Sequence, residues 1–485
     1  MKSLTETVTI PFLLTLNPTP LQQQTFKGIL GGVRFAYNAT LAHVLENWEH
    51  NKDLPKEQQS YISTHPFELA KWMVSVKDEI APWNREYSKY VFQAGAENAG
   101  HAFQNFLKSR SSKIKSKAGL PKYKSRKNQN QVGCLFASLK IDGNRVFIPK
   151  VGLVKFYESD KTILWLLSQG ARLTQGTLKY QHARWSMSIN LKMSSELALK
   201  YYSGKYQLAT RKKKVKNRSI GGDVGIKAFL TLSDGTQILN PKTYEKQVAK
   251  LRRLNKQLAL RSRANSKTET VNDKTGEIIT AWSKRHDKTV QKVQKQHAKV
   301  YNQRNNFLHT VSKTLIMNYE TISVEKLTIA NMVKDKHLSK SISDASWGEF
   351  IRQLEYKSLR VGATLVKIPL FTPTSKTCSE CGTVKTKLSL SQRTFNCKHC
   401  GCNIDRDLNA AINIHKLAVG NKQYKKELNL RVAGSINARG VGSSGEVWSN
   451  MPYETTLLRS EKSVKAQDTQ VLYTGNGLKT TTLLA

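Results

Sequence analysis

Strand-like alternation opens the chain, with Val8, Ile10 and Phe12 at every second position between Thr7 and Leu16. Pro11 lacks a backbone donor and suits an edge strand better than a central one. Asn17-Pro-Thr-Pro20 reads as a turn that also starts a helix. From Leu21 to about Lys108 the period lengthens, and Phe26, Leu30, Val33 and Tyr37 recur at three- and four-residue spacing. A second helical run follows Pro82-Trp83, with Tyr87, Tyr90, Val91, Ala94, Asn98, His101, Ala102 and Phe106 near one face. From about Val132 to Met193 short alternating segments return, such as Arg145–Pro149 and Trp185–Asn190. Strand, helical insertion, strands: this order predicts a β-barrel-like domain interrupted by a helical one.

Beyond it, Arg211–Arg218 holds six basic residues in eight and reads as an exposed linker. Ser219–Asn240 predicts a buried strand and a hairpin, with Ser233-Asp-Gly235 as the turn. Two basic helices are expected at Tyr244–Ala264 and Lys284–Asn318, with a polar loop over Ser266–Ile279 between them. Glu320–Val324 reads as a strand, Trp347–Arg360 as a helix and Gly362–Pro369 as another strand. After Lys416 the Gly, Ser and Thr content predicts a poorly ordered tail. The longest apolar run, around Ile163–Leu167, is strand-sized and far short of the ~18 residues of a membrane span. The N-terminal stretch reads as a first strand and not as a signal peptide.

Charge narrows the partners. The 485 residues carry 78 Lys+Arg against 35 Asp+Glu, a net +43. Solubility calls for far less, so the expected partner is a large polyanion, nucleic acid before a membrane surface. At roughly 100–200 residues per domain the chain makes two to four domains. Five of its six cysteines lie between Cys378 and Cys402, which fits a reduced, metal-binding set in a cytosolic or nucleoid-associated protein.

Within that set, Cys378-x-x-Cys381 and Cys397-x-x-Cys400 stand fifteen residues apart, each closed by a glycine. Two such knuckles aim four thiolates at one tetrahedral ion, and Zn²⁺ suits them as a structural ribbon with no open catalytic position. Cys402 reads as a bystander able to compete with Cys400, and Cys134 as a small core hydrophobe. Three acids stand out in the basic landscape. Asp223 lies mid-strand in Ile220-Gly-Gly-Asp-Val-Gly-Ile-Lys227, Glu325 ends Thr321-Ile-Ser-Val324, and Asp407 starts a helix in Asp405-Arg-Asp-Leu-Asn-Ala-Ala. Converging at one rim of a mixed sheet, they could hold two Mg²⁺ about 4 Å apart for phosphodiester hydrolysis. Singly each has a blander reading. Asp-x-Gly also opens the nucleotide-binding strand of sugar-kinase-like ATPases, and Asp405 or Asp407 could be a helix N-cap.

Taken together, Gly-Gly-Asp223-Val-Gly-Ile-Lys, Ile-Ser-Val-Glu325-Lys-Leu, Thr-Ser-Lys-Thr-Cys378-Ser-Glu-Cys-Gly and Asp405-Arg-Asp407-Leu-Asn-Ala-Ala closely resemble the TnpB family. Asn306-Phe-Leu-His309, Leu354-Glu-Tyr-Lys357, Phe103-Gln-Asn-Phe106 and Gly119-Leu-Pro-Lys-Tyr-Lys124 add to the resemblance, which spans about residues 5–418. These are transposon-encoded RNA-guided nucleases related to compact type V CRISPR effectors. The resemblance implies an α+β multidomain chain. A wedge-like β-barrel would take residues 1–20 and 119–210, with a helical recognition insertion over 21–118. After the linker at 211–218, a RuvC-like nuclease domain of RNase H fold would take 219–370 and 405–418. A zinc ribbon over 371–404 would interrupt it, and the tail would run over 419–485.

It also implies a guide RNA, a double-stranded DNA target, and cutting by Asp223, Glu325 and Asp407 with Mg²⁺ (or Mn²⁺), with Asp405 second in line to Asp407. Basic segments would follow phosphates, while base pairing reads sequence and the protein reads a short adjacent duplex motif. Candidate contacts are Arg34, Tyr37, Asn38, Lys122, Lys124, Arg126 and Arg304, although Tyr37 taken alone reads first as a core aromatic. An RNA-guided DNA-binding regulator without cleavage and a transposase-type strand-transfer protein are the rival readings.

Overall fold

The computed structural model describes residues 7–111, 118–125, 133–181, 183–263, 267–271, 278–335, 337–389, 392–420, 470–474 and 477–481. They fall into two compact units divided between Ala198 and Leu199. The helical set and first strands belong to one unit, Asp223, Glu325, Asp407 and the five cysteines from Cys378 to Cys402 to the other.

In the N-terminal unit the expected alternation becomes seven strands: β1 (Thr7–Asn17), β2 (Gly133–Ala137), β3 (Lys140–Asp142), β4 (Arg145–Ile148), β5 (Gly152–Phe156), β6 (Arg172–Gln181) and β7 (Arg184–Ser194). They pair in the order β2-β6-β7-β1-β5-β4-β3, antiparallel throughout. On β7 the period of two is carried by Trp185, Met187, Ile189, Leu191 and Met193, all buried. β1 is central in that order, yet Pro11 is tolerated. It faces Asn190 of β7, while β5 pairs only with Leu16 and Asn17, so Pro11's missing donor costs no ladder bond on the other side.

Between β1 and β2 run α1 (Pro20–Lys52), α2 (Pro66–Ile80) and α3 (Tyr90–Ser111). Thr19 starts α1 with a reciprocal capping box to Gln22, and Pro20 occupies the first turn. Tyr37, Leu41, Val44, Leu69, Ala99, Phe103 and Phe106 form the helical core. At Gly95 α3 comes so close to α1 that a Cβ would lie 2.6 Å from the Val33 carbonyl oxygen. Ile163–Leu167, sized for a strand, lies instead in α4 (Lys161–Ser168), where Ile163 and Leu166 are buried at helical spacing. The short helix α5 (Ser195–Tyr206) follows β7.

In the C-terminal unit the basic run Arg211–Arg218 is exposed at Lys212, Lys213, Lys214, Lys216 and Arg218, as expected, but its first part is helical, in α6 (Leu208–Val215), and Arg211 is buried. Its guanidinium donates from Nε to the Ile316 carbonyl (2.6 Å), from Nη2 to Tyr319 (2.9 Å) and from Nη1 to Val361 (3.3 Å). The charge is thus spent on orphan carbonyls where two helices end.

Next come β8 (Ser219–Val224), β9 (Ala228–Leu232), β10 (Gln237–Leu239), α7 (Thr243–Arg261), β11 (Lys267–Val271), β12 (Ile278–Trp282), α8 (Lys284–Asn318) and β13 (Thr321–Glu325). After them follow α9 (Ile329–Met332), α10 (Ser339–Ala345), α11 (Trp347–Val361), β14 (Thr364–Ile368), β15 (Thr394–Asn396), β16 (Asn403–Asp405) and α12 (Arg406–Gly420). Within the expected loop over Ser266–Ile279 lie β11 and the first residues of β12, two paired strands whose Thr, Val and Ile favour extended backbone. The tail expectation falls mostly on residues outside those described. Within it, β17 (Gln470–Thr474) and β18 (Gly477–Thr481) form a hairpin that extends the main sheet.

That sheet runs β14-β13-β8-β9-β10-β17-β18. β13 lies parallel to both β8 and β14, while β9 returns antiparallel to β8. Ile220, Phe229, Leu230, Ile322 and Val324 of the sheet pack in one cluster with Phe307, Leu308, Val311, Phe350 and Leu354 of α8 and α11. In another, Val366 and Ile368 pack against Ile414 and Ala418 of α12. Gly221 is what lets α12 approach, since a Cβ there would lie 2.4 Å from the Ala411 carbonyl oxygen. No helix among the described residues is long and apolar enough to cross a membrane.

Candidate active site and cysteine centre

The period of two decides which face the acids share. On β8, Ile220 enters the core with α8 and α11, Gly221 meets α12, and Asp223, two residues on, turns to the α12 side. On β13, Ile322 and Val324 are core, so Glu325 turns to that side as well. Val324 registers with Gly222, which sets Asp223 and Glu325 one step further at the same end of neighbouring parallel strands. α12 then brings Asp407 in its first turn.

Electrostatics record the convergence. Burial, then the charges of Glu325, Asp407 and Asp405, push Asp223 well above the ordinary carboxylate range, and only Arg406 pulls the other way. Asp405 and Asp407 divide their duties. Asp405 Oδ1 accepts from the backbone N–H of Asp407 (2.9 Å) and Leu408 (3.0 Å), so it is the N-cap of α12. Asp407 Oδ1 accepts from the Arg406 guanidinium at 3.5 Å. Glu325 accepts a hydrogen bond from the Thr374 hydroxyl. The three acids are near one another without being drawn into a single tight ligand set.

The cysteines are such a set. The sulfurs of Cys378, Cys381, Cys397 and Cys400 all lie within 4.8 Å of one another. Cys378 and Cys400 stand 3.6 Å apart, as do Cys381 and Cys397. A tetrahedral ion with bonds of about 2.3 Å to sulfur separates its ligands by about 3.8 Å, so the spacing fits. The two knuckles match bond for bond. Gly382 N donates to the Cys378 carbonyl and Gly401 N to the Cys397 carbonyl, each at 3.0 Å with the glycine left-handed. Hydrogen bonding with Thr383 lowers the Cys381 thiol to about 5. Cys402 lies outside the set; its carbonyl closes the second knuckle by accepting from Cys397 N (2.7 Å), and its side chain packs against the cluster of Cys378, Phe395 and Cys397. Cys134 is fully buried in its strand, as expected of a core thiol.

Several residues absent from the sequence-based expectations tie the two centres together. Asn409 and Asn413, both buried, stand one turn apart on α12. Asn409 accepts from Ser379 N (2.8 Å) and donates to the Thr377 carbonyl (2.7 Å), while Asn413 donates to the carbonyls of Thr374 (2.8 Å) and Thr377 (2.6 Å). Two amides on an otherwise Ala/Ile packing face were the available signal.

Most candidate nucleic-acid contacts have intramolecular work. Tyr37 is buried, Lys124 sits 3.8 Å over its ring, and Asn38 exchanges hydrogen bonds with the Lys124 backbone. Burial lowers the Lys124 pKa. Arg304 pairs with Asp344 (2.8 Å), which also accepts from Thr243 and Tyr244 at the start of α7. Arg34 is partly buried, Lys122 is exposed, and Arg126 lies outside the described residues. The basic faces are elsewhere: Lys246, Lys250, Arg252, Arg253 and Lys256 on α7 and Lys288, Lys292, Lys295 and Lys299 on α8 are exposed, while Leu251, Leu254, Ala298 and Val300 are buried.

Three family models match. One described as "Helix-turn-helix domain" covers residues 9–53, "Probable transposase" covers 203–336, and "Cas12f1-like, TNB domain" covers 347–414. The first spans a strand and one long helix here. Among similar proteins, "Putative RNA-guided DNA endonuclease" of Streptomyces pristinaespiralis is 29% identical over 408 residues, covering 83% of this chain and 87% of that protein. "Putative RNA-guided DNA endonuclease InsQ" of Escherichia coli (strain K12) is 27% identical, covering 84% of this chain and 92% of that one. "TnpB-like protein L79" of Acanthamoeba polyphaga mimivirus is 33% identical over 165 residues, 32% of this chain and 31% of that one.

Proposed function

We infer that this chain, which belongs to the TnpB family, is an RNA-guided DNA endonuclease that cuts with Asp223, Glu325 and Asp407. The observation that carries the reading is the placement of the acids: Asp223 and Glu325 follow the registered pair Gly222 and Val324 on parallel strands, and α12, packed on the same sheet at Gly221, carries Asp407 in its first turn. In this reading the C-terminal unit is a RuvC-like domain of RNase H fold, and the seven antiparallel strands of the N-terminal unit are the wedge barrel with α1–α3 inserted.

The acids suit Mg²⁺ or Mn²⁺, which take carboxylate oxygens and would supply an activated water and a stabilised leaving oxygen. Asp223 and Glu325 stand on paired strands, which hold their backbones rigid. Asp405 fixes the first turn of α12 and so orients Asp407 without competing for the same role. Cys378, Cys381, Cys397 and Cys400 fit a structural Zn²⁺. The exposed basic faces of α7 and α8 suit guide RNA and target DNA, contributing affinity and salt dependence with little sequence information.

All three acids are present and grouped, which favours a cutting enzyme over a binding-only regulator. The test is the RNA complex purified with the protein. The parent should cut DNA matching the bound RNA in the presence of Mg²⁺. Asp223→Ala, Glu325→Ala or Asp407→Ala should lower cutting by more than ~100-fold, beyond the loss typical of an outer-shell change, with RNA retained. Variants cutting at the parental rate would sink the assignment. Insertion of transposon ends by the protein without RNA would establish strand transfer instead.

A further inference from the structure

The carboxylate of Glu325 and the first cysteine knuckle share a support. Thr374 gives its hydroxyl to Glu325 and its backbone carbonyl to Asn413 Nδ2 (2.8 Å). From the same asparagine a second bond reaches the Thr377 carbonyl (2.6 Å), next to Cys378. Asn409, one turn back on α12, holds Thr377 and Ser379 on either side of that cysteine. Thr374, Ser379, Asn409 and Asn413 are all buried, so water does not compete for these bonds. The same helix carries Asp407 two residues before Asn409.

Resting on the endonuclease reading, we propose that Thr374 is a positioning residue for Glu325, and that Asn413 ties it to the helix bearing Asp407. Three facts combine. Glu325 is the last residue of its strand, where a long side chain has most freedom. Thr374 restrains it by a hydrogen bond. Asn413 in turn makes the position of Thr374 a function of the position of α12. A shift of α12 relative to the sheet would therefore carry both acids together.

The experiment uses the full-length protein with its bound RNA and reads two quantities. Mn²⁺ affinity is measured by electron paramagnetic resonance without DNA, and kcat and KM for cutting are measured on matched DNA. Thr374→Val, close in shape but without the hydroxyl, should weaken Mn²⁺ binding by about 10–100-fold and lower kcat while KM and cysteine-bound zinc stay at parental values. Thr374→Ser should restore both. Asn413→Ala should reproduce part of the Mn²⁺ loss with zinc retained. Parental Mn²⁺ affinity and kcat in Thr374→Val, or no rescue by serine, would overturn the positioning role, and full affinity in Asn413→Ala would overturn the tie to α12. A parent complex that neither binds Mn²⁺ nor cuts would overturn the endonuclease reading itself, an outcome told apart by the parent alone.

Discussion

Two adjacent glycines on β8 should respond very differently to the same added methyl. A Cβ on Gly221 would lie 2.4 Å from the Ala411 carbonyl oxygen, 2.6 Å from His415 N and 2.7 Å from His415 Cβ. These are atoms of the α12 backbone and its base, which cannot turn aside, so the helix must back away by about 1 Å to regain normal contact. Overpacking of this kind costs about 1–3 kcal/mol. A displacement of that size at a reacting group can cost ~100-fold in rate. A Cβ on Gly222 would meet Leu230 Cδ1 at 2.8 Å and Leu232 Cδ2 at 3.5 Å, methyl ends that can rotate. Gly221→Ala should therefore lower both the thermal midpoint and the rate of guided cutting by the Asp407-bearing arrangement, and Gly222→Ala should do markedly less of each. Differential scanning and a single-turnover cleavage assay on both variants decide it. Equal damage from the two, or a Gly221→Ala enzyme that melts and cuts like the parent, would refute the packing argument.

Arg304→Ala should destabilise the chain by about 1–3 kcal/mol through loss of its bond to Asp344. It should leave the salt dependence of RNA binding unchanged, whereas Lys292→Ala on the exposed face should reduce the logarithmic salt slope by about 1; filter binding across a salt series distinguishes them. Asp223 has its pKa raised in the folded chain, so ionising it opposes folding: stability is higher at low pH and falls as pH rises from the ordinary value of 3.8 through the raised one. In Mg²⁺-free buffer at neutral pH, Asp223→Asn should raise the thermal midpoint, and the gap should narrow as pH is lowered; a lower midpoint at neutral pH would contradict the crowding.

Local chemistry was legible where one segment contains its own reason. The two Cys-x-x-Cys knuckles and the long helices α7, α8 and α11 lie where their spacing and periodicity point. So does the alternation on β7. What sequence alone leaves open is set by distant partners. Arg211 looks like part of a solvated basic run until the ends of α8 and α11 are placed over it. Arg304 and Lys124 resemble phosphate contacts until Asp344 and Tyr37 appear beside them. Asp405 and Asp407 are both eligible for either role, and only the geometry of the first helical turn separates cap from candidate ligand. Asn409 and Asn413 were visible as amides on an apolar face, but their partners, some thirty residues away in the knuckle, were not.

The order in which the acids occur along the chain has a consequence for the protein's birth. Asp223 and Glu325 leave the ribosome with their paired strands β8 and β13, whereas Asp407 arrives only after both cysteine knuckles have been made. At ~5–20 residues per second, on the order of tens of seconds pass between the first acid and the last. Throughout that interval a nascent chain has its basic helices but not its third carboxylate. On the proposed function, it would gather nucleic acid before it is equipped to break any, giving guide capture a head start over cutting.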